Sequence, residues 1–136
     1  MEGWKQMEFV NVIVAAAVAF GLGAVWYMAF SKPWLEVSGV ARGPDGRPVN
    51  AGARPFVIGF IAILLVAGMM RHLLASAGLE SVASGTLAGF GVGAFLITPW
   101  IALNAGYTGR PALLVAIDGG YATLACTVMG AVLTLF

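Results

Sequence analysis

From Phe9 to Ser31 the chain carries no charged side chain, and three further runs, at about 55–77, 81–105 and 111–135, are almost as bare. About 20 mostly apolar residues suffice for an α-helix to cross the hydrocarbon core of a bilayer. A helix is also one of the few structures that satisfies its own backbone polar groups there. The pattern therefore predicts an all-α membrane protein with four transmembrane helices, at about 9–30, 55–77, 81–105 and 111–135, and one long loop over 31–54. A cleaved signal peptide competes for the first run. Its flank mixes Glu2 and Glu8 with Lys5, the run is too long and no small-residue cleavage site follows, so it reads as a retained anchor.

Composition narrows the class further. Charged residues make up 10% of the chain and hydrophobic ones 60%, whereas a soluble domain carries roughly 25% charged residues. The 136 residues allow one small domain spanning the whole chain. A net charge of +1 provides no basic footprint for nucleic acid. Cys126 is the single cysteine, which rules out an intrachain disulfide, and with only His72 beside it there is no zinc ligand set. One imidazole at a helix end is far short of a haem site, so no metal or cofactor is expected.

The connections after the second and third runs are only a few residues long, so each pair of helices should be antiparallel neighbours in an up-down bundle. Pro55 suits the first turn of its helix and Gly78 the stop of the same helix. In the long loop, Gly43-Pro44-Asp45-Gly46 is a turn sequence. The rest reads as a surface excursion, with Trp34 tucked at the lipid interface. Lys32, Arg42, Arg47, Arg54 and Arg110 fall on one side of the spans and only Lys5 and Arg71 on the other. Basic residues favour the cytoplasmic side. The expectation is a multi-pass protein of the cell (inner) membrane, with loop 31–54 cytoplasmic and both termini outside. Arg71, near a helix end, is expected to snorkel to the headgroups.

Small residues at i+4 spacing stack on one face of a helix and let backbones approach closely in lipid. Gly85, Gly89 and Gly93 form such a stripe in the third run, Ala15, Ala19 and Gly23 in the first, and Ala122, Cys126 and Gly130 in the fourth. The pattern leaves open whether a stripe faces its own bundle or a second copy. One step back along the fourth stripe stands Asp118, the single acid in its run, which aims the carboxylate at a packing face. Thr98 and Pro99 fall at a similar depth, Pro99 should kink its helix, and Asn104 and Tyr107 lie nearer the surface. Trp26 and Tyr27 approach from the same side, Arg110 marks the entrance, and Tyr121 follows one turn on. Two roles are open to Asp118. It could accept hydrogen bonds from Tyr27, Asn104 or Thr98 and pin its helix. The alternative to that structural role is a proton or ligand site, as intramembrane acids often are.

The stretches GAVWYMAFSKPW (residues 23–34), TPWIALNAGYTGRP (98–111) and IDGGYATLACTVMGAVL (117–133) together resemble the family catalogued as domain of unknown function 1761. The shared pattern here comprises Trp26, Tyr27, Lys32 and Trp34, then Pro99, Asn104, Arg110 and Pro111, and finally Asp118, Gly120 and Tyr121. Members commonly carry Gly-Pro after the Trp-Tyr pair, where this chain has Met28-Ala29, and the 31–54 loop is more elaborate than usual. The resemblance implies a small bacterial-type integral membrane protein with four helices and brings no activity with it. Two functions are then in play. One is a non-enzymatic protein working by assembly, as a homo-oligomer or as an accessory subunit of another membrane protein. The other is a small homo-oligomer that moves a proton or solute through Asp118. With no paired carboxylates and no nucleophile beside a base, an enzyme is not expected.

Overall fold

The computed structural model describes residues 2–49 and 51–136, with side chains from Phe9 onward. The chain folds into α1 (Glu2–Ala29), α2 (Ser31–Val37), α3 (Arg54–Ser76), α4 (Val82–Val92), a π-helical turn (Gly93–Ile97), α5 (Thr98–Tyr107) and α6 (Ala112–Leu135). Four stretches are long and apolar enough to cross a membrane: Phe9–Ala29, Arg54–Ser76, Val82–Tyr107 and Ala112–Leu135. Among the described residues there is no β-strand, only an isolated bridge between Arg42 and Pro48.

Local chemistry explains where these helices start and stop. Pro55 sits in the first turn of α3, where its missing N–H costs nothing. At the other end Gly78 adopts φ +70°, and Leu79 N–H then reaches back to the Leu74 carbonyl at 3.0 Å. The side chain of Ser81 caps α4 by accepting from Ser84 N–H at 3.1 Å. Gly43-Pro44-Asp45-Gly46 does turn, with Gly46 N–H donating to the Gly43 carbonyl at 3.0 Å.

The third span is not one uninterrupted α-helix. Pro99 has no N–H to donate, and its ring crowds the carbonyl four residues earlier. The helix widens just before it: Thr98 N–H bonds to the Gly93 carbonyl, five residues back, and Thr98 Oγ1 donates to the same oxygen at 2.7 Å.

Helix α6 is the central element and touches every other span. Against α4 the contact is backbone on backbone. A methyl group on Gly89 would overlap the Cys126 carbonyl, one on Gly93 would lie 2.5 Å from Thr123 Cα, and one on Gly85 would lie 2.5 Å from the Gly130 carbonyl oxygen. The glycine stripe of α4 thus faces this chain's own α6. Residue numbers rise along α4 as they fall along α6, so the two run antiparallel. The same holds for α1, whose Asn11 meets Leu133, whose Ala19 meets Tyr121 and whose Trp26 meets Ile117.

The short link between α3 and α4 does not make them close neighbours. α3 lies against α1 and touches α4 only sparsely. A short link holds two ends together, and here α6 takes the small-residue face of α4 that α3 would otherwise need.

Burial is uneven along the spans. Ala15, Ala16 and Ala19, Ala67, Met70 and Leu74, and Ala125, Met129 and Leu133 form one cluster. Residues 20–29 and 54–66, toward the other end, contribute no buried side chain. The outer surface is apolar, with Phe9, Leu65, Leu87 and Phe95 each at least 70% exposed. Residues 31–54 are more than a surface excursion, because their first seven residues form α2, which folds back onto α6.

Candidate functional site

Asp118 stands in the second turn of α6, about 10 Å along the axis from Pro111 at 1.5 Å per residue. Two donors converge on one of its oxygens. Tyr27 Oη donates to Oδ1 at 2.7 Å from the end of α1, and Trp34 Nε1 donates to the same atom at 3.0 Å from α2. The two rings meet edge to face, with centroids 5.9 Å apart at 78°. Tyr121, nearly one turn beyond Asp118, packs against Tyr27 at 5.4 Å and 67°. Its hydroxyl is engaged elsewhere, donating to the Ala19 carbonyl at 2.7 Å and closing over Gly23. Trp26 clamps the backbone beside the acid, its Nε1 donating to the Ile117 carbonyl at 3.0 Å. Adjacent residues on α1 therefore hold the α6 main chain and the α6 carboxylate.

The second oxygen, Oδ2, receives no hydrogen bond from the described residues and is not among the buried unpartnered atoms. No basic side chain among the described residues pairs with it. The carboxylate is thus held by two donors at one oxygen and left open at the other.

The remaining residues expected near the acid divide. Thr98 lies on the opposite side of α6 from it, bonding to the Gly119 carbonyl at 3.1 Å and sharing a hydrogen bond with Thr123 Oγ1 at 3.2 Å. Pro99 and Asn104 are exposed, and the Asn104 carbonyl serves only to receive Thr108 at the end of α5. Arg110 is exposed as well, its guanidinium lying over Gly39 just beyond α2, where φ is +77° and a side chain would collide with it.

The stripe through Asp118, Ala122, Cys126 and Gly130 does not keep one face. Each i+4 step advances about 40° around a 3.6-residue helix. Over three steps the row moves from the α1 and α2 side, where Asp118 sits, to the α4 side, where Cys126 and Gly130 sit. The acid therefore faces an aromatic cluster rather than the glycine contact.

Trp34 is the main addition: it is half-buried and donates to the Asp118 carboxylate. The repeated Trp in the family-like motif was the available signal, but only α2 shows where it points. The other addition is at the far end. Asn11, 1% exposed, donates through Nδ2 to the carbonyls of Leu133 at 3.4 Å and Phe136 at 2.7 Å. Arg71 Nη1 reaches the Leu133 carbonyl at 3.2 Å. Together they cap the C-terminal end of α6, where a cation also meets the negative end of the helix dipole. A polar residue in the bare first run was the signal for Asn11.

On the α6 face opposite Asp118, a shallow apolar groove of about 670 Å³ runs between Trp26, Phe90, Ala94, Gly120 and Leu124. Among the described residues no group of three or more His, Cys, Asp or Glu side chains gathers to hold a metal ion.

The family model described as a protein of unknown function, DUF1761, matches residues 10–134. No curated protein and no solved structure matches the chain.

Proposed function

This chain belongs to the DUF1761 family of proteins of unknown function, and from that premise we propose that it is a multi-pass integral membrane protein, an up-down four-span bundle in the inner membrane, whose Asp118 site binds a proton or cationic solute for passage across the bilayer. The observation that supports this most is the arrangement at Asp118: two donors fixed on Oδ1, an open Oδ2 and no basic partner among the described residues. An ionisable side chain at that depth is costly and marks a functional site by default. Neither Tyr27 nor Trp34 neutralises it. The site also lies in the half of the spans where side chains are least buried, which favours access from the loop side. This is a binding and transport role, not an enzymatic one.

The full-length protein in liposomes with an internal pH dye tests the reading. Wild type is expected to couple proton movement to a gradient of permeant cation, and Asp118→Asn to lose that movement while keeping its size in detergent. Equal fluxes from the two proteins would reject it.

A second reading, assembly as a homo-oligomer or with another membrane protein, draws on the apolar groove opposite Asp118. Its threonine hydroxyls are satisfied internally, as Thr98 and Thr127 show. That suits an apolar partner helix. The glycine faces of α4 and α6 are engaged with each other and do not serve this role.

A further inference from the structure

We propose that the Asp118 site takes a monovalent organic ammonium ion, held by charge at the carboxylate and by the ring faces of Tyr27 and Trp34. The inference rests on the reading of Asp118 as a cation or proton site and names the substrate class.

Charge comes first. One carboxylate stands without a basic partner among the described residues, so it balances one positive charge. Oxygen supply comes second. Calcium takes six to eight oxygen ligands and magnesium demands near-octahedral geometry. Among the described residues the Tyr27 phenol is the only other side-chain oxygen bonded to the carboxylate, and no group of three or more His, Cys, Asp or Glu side chains gathers there. That leaves a carboxylate and one phenol, too few for a hard metal ion.

The aromatic walls decide between the remaining candidates. Tyr27 and Trp34 stand at 78° to each other, and both turn their polar edges to Oδ1. The two rings therefore stand roughly at right angles beside the carboxylate while Oδ2 stays open. A proton would use Oδ2 alone, with the rings serving only as donors to Oδ1. An ammonium with apolar substituents uses all three features, since an aromatic face attracts a weakly hydrated cation and also shelters its carbon substituents.

The test uses the full-length protein in lipid nanodiscs, titrated calorimetrically with benzyltrimethylammonium, Na⁺ and Ca²⁺ in turn. Proton uptake between pH 4 and 9, counted in parallel, distinguishes the site's charge from its ligand. Benzyltrimethylammonium should bind saturably, once per chain, and the metal ions should not. Asp118→Asn should weaken it at least tenfold. Trp34→Leu should weaken it about 3- to 30-fold, the span set by a cation–π contact, and Trp34→Phe, which keeps a ring face, should cost less. Selectivity in the wild type carries the test even where a variant does not fold. Saturable binding of Na⁺ or Ca²⁺ without benzyltrimethylammonium overturns the inference and keeps the cation site. No cation binding, with one more proton taken up by wild type than by Asp118→Asn, overturns it and leaves a proton site. Neither binding nor a proton difference removes both. Equal benzyltrimethylammonium binding by wild type and a folded Asp118→Asn also overturns it, as partition into lipid.

Discussion

At the residue scale, the roles of Tyr27 and Trp34 separate cleanly. A hydrogen bond to a charged group contributes roughly 1.5–3 kcal/mol, and Asp118 receives two on one atom. Tyr27→Phe removes one donor and keeps the ring. It is expected to lower stability by about 1.5–2 kcal/mol, the lower part of that range because the site is only partly buried, as read by denaturant titration in mixed micelles. At the far end, Asn11→Ala deletes both bonds to the end of α6 and should cost about 1–3 kcal/mol by the same measurement. The sequence made Asp118 conspicuous because a lone acid in an apolar run is costly and therefore rare. Its true partners were only half legible. Tyr27 is visible from helical register, whereas Trp34 depends on a chain reversal after α1 that no periodicity encodes. Asn104 was misplaced for the complementary reason: depth along a helix is readable from residue count, but the face it presents depends on how the helix turns.

At the element scale, α4 and α6 meet where neither helix has room for a side chain. Gly89→Ala would drive a methyl into the Cys126 carbonyl. Overpacking of this kind costs typically 1–3 kcal/mol, and Gly89→Ala should fall at or above the top of that range because backbone does not yield. Gly91 is the built-in control, since a methyl there meets nothing within 4 Å. Gly91→Ala should be neutral or stabilising by up to about 1 kcal/mol through helix propensity. Thermal melts of the two variants side by side check both expectations. Spacing alone identified the glycine stripe; the partner it faces became visible only with the fold. Likewise Pro99 announced a disturbance in the third span, but an open kink and a π turn begin from the same missing N–H. Thr98, whose hydroxyl and N–H both reach the Gly93 carbonyl, accommodates the wider turn.

At the scale of the whole molecule, the basic residues Lys32, Arg42, Arg47, Arg54 and Arg110 share the end at which Asp118 lies. If that end faces the cytoplasm, a cysteine placed at Asp45 should react with a membrane-impermeant maleimide in inside-out vesicles and not in intact cells. Cys126 is buried and gives little background. The reverse labelling pattern would invert the orientation proposed here and put the entrance to the Asp118 site outside. Four apolar runs were enough to predict four long helices, because length and hydropathy are local properties. Which helix sits at the centre was not, since that depends on contacts between distant segments. The central position of α6 also bears on the order of events during synthesis. α1 and α3 can pair as soon as both have left the ribosome, but α4 must wait with its glycine face uncovered until α6, last of the four spans in chain order, arrives to cover it. A nascent chain halted before residue 112 would therefore hold a partnered pair of helices and an unpartnered one, and that third span is where quality-control proteases should first find it.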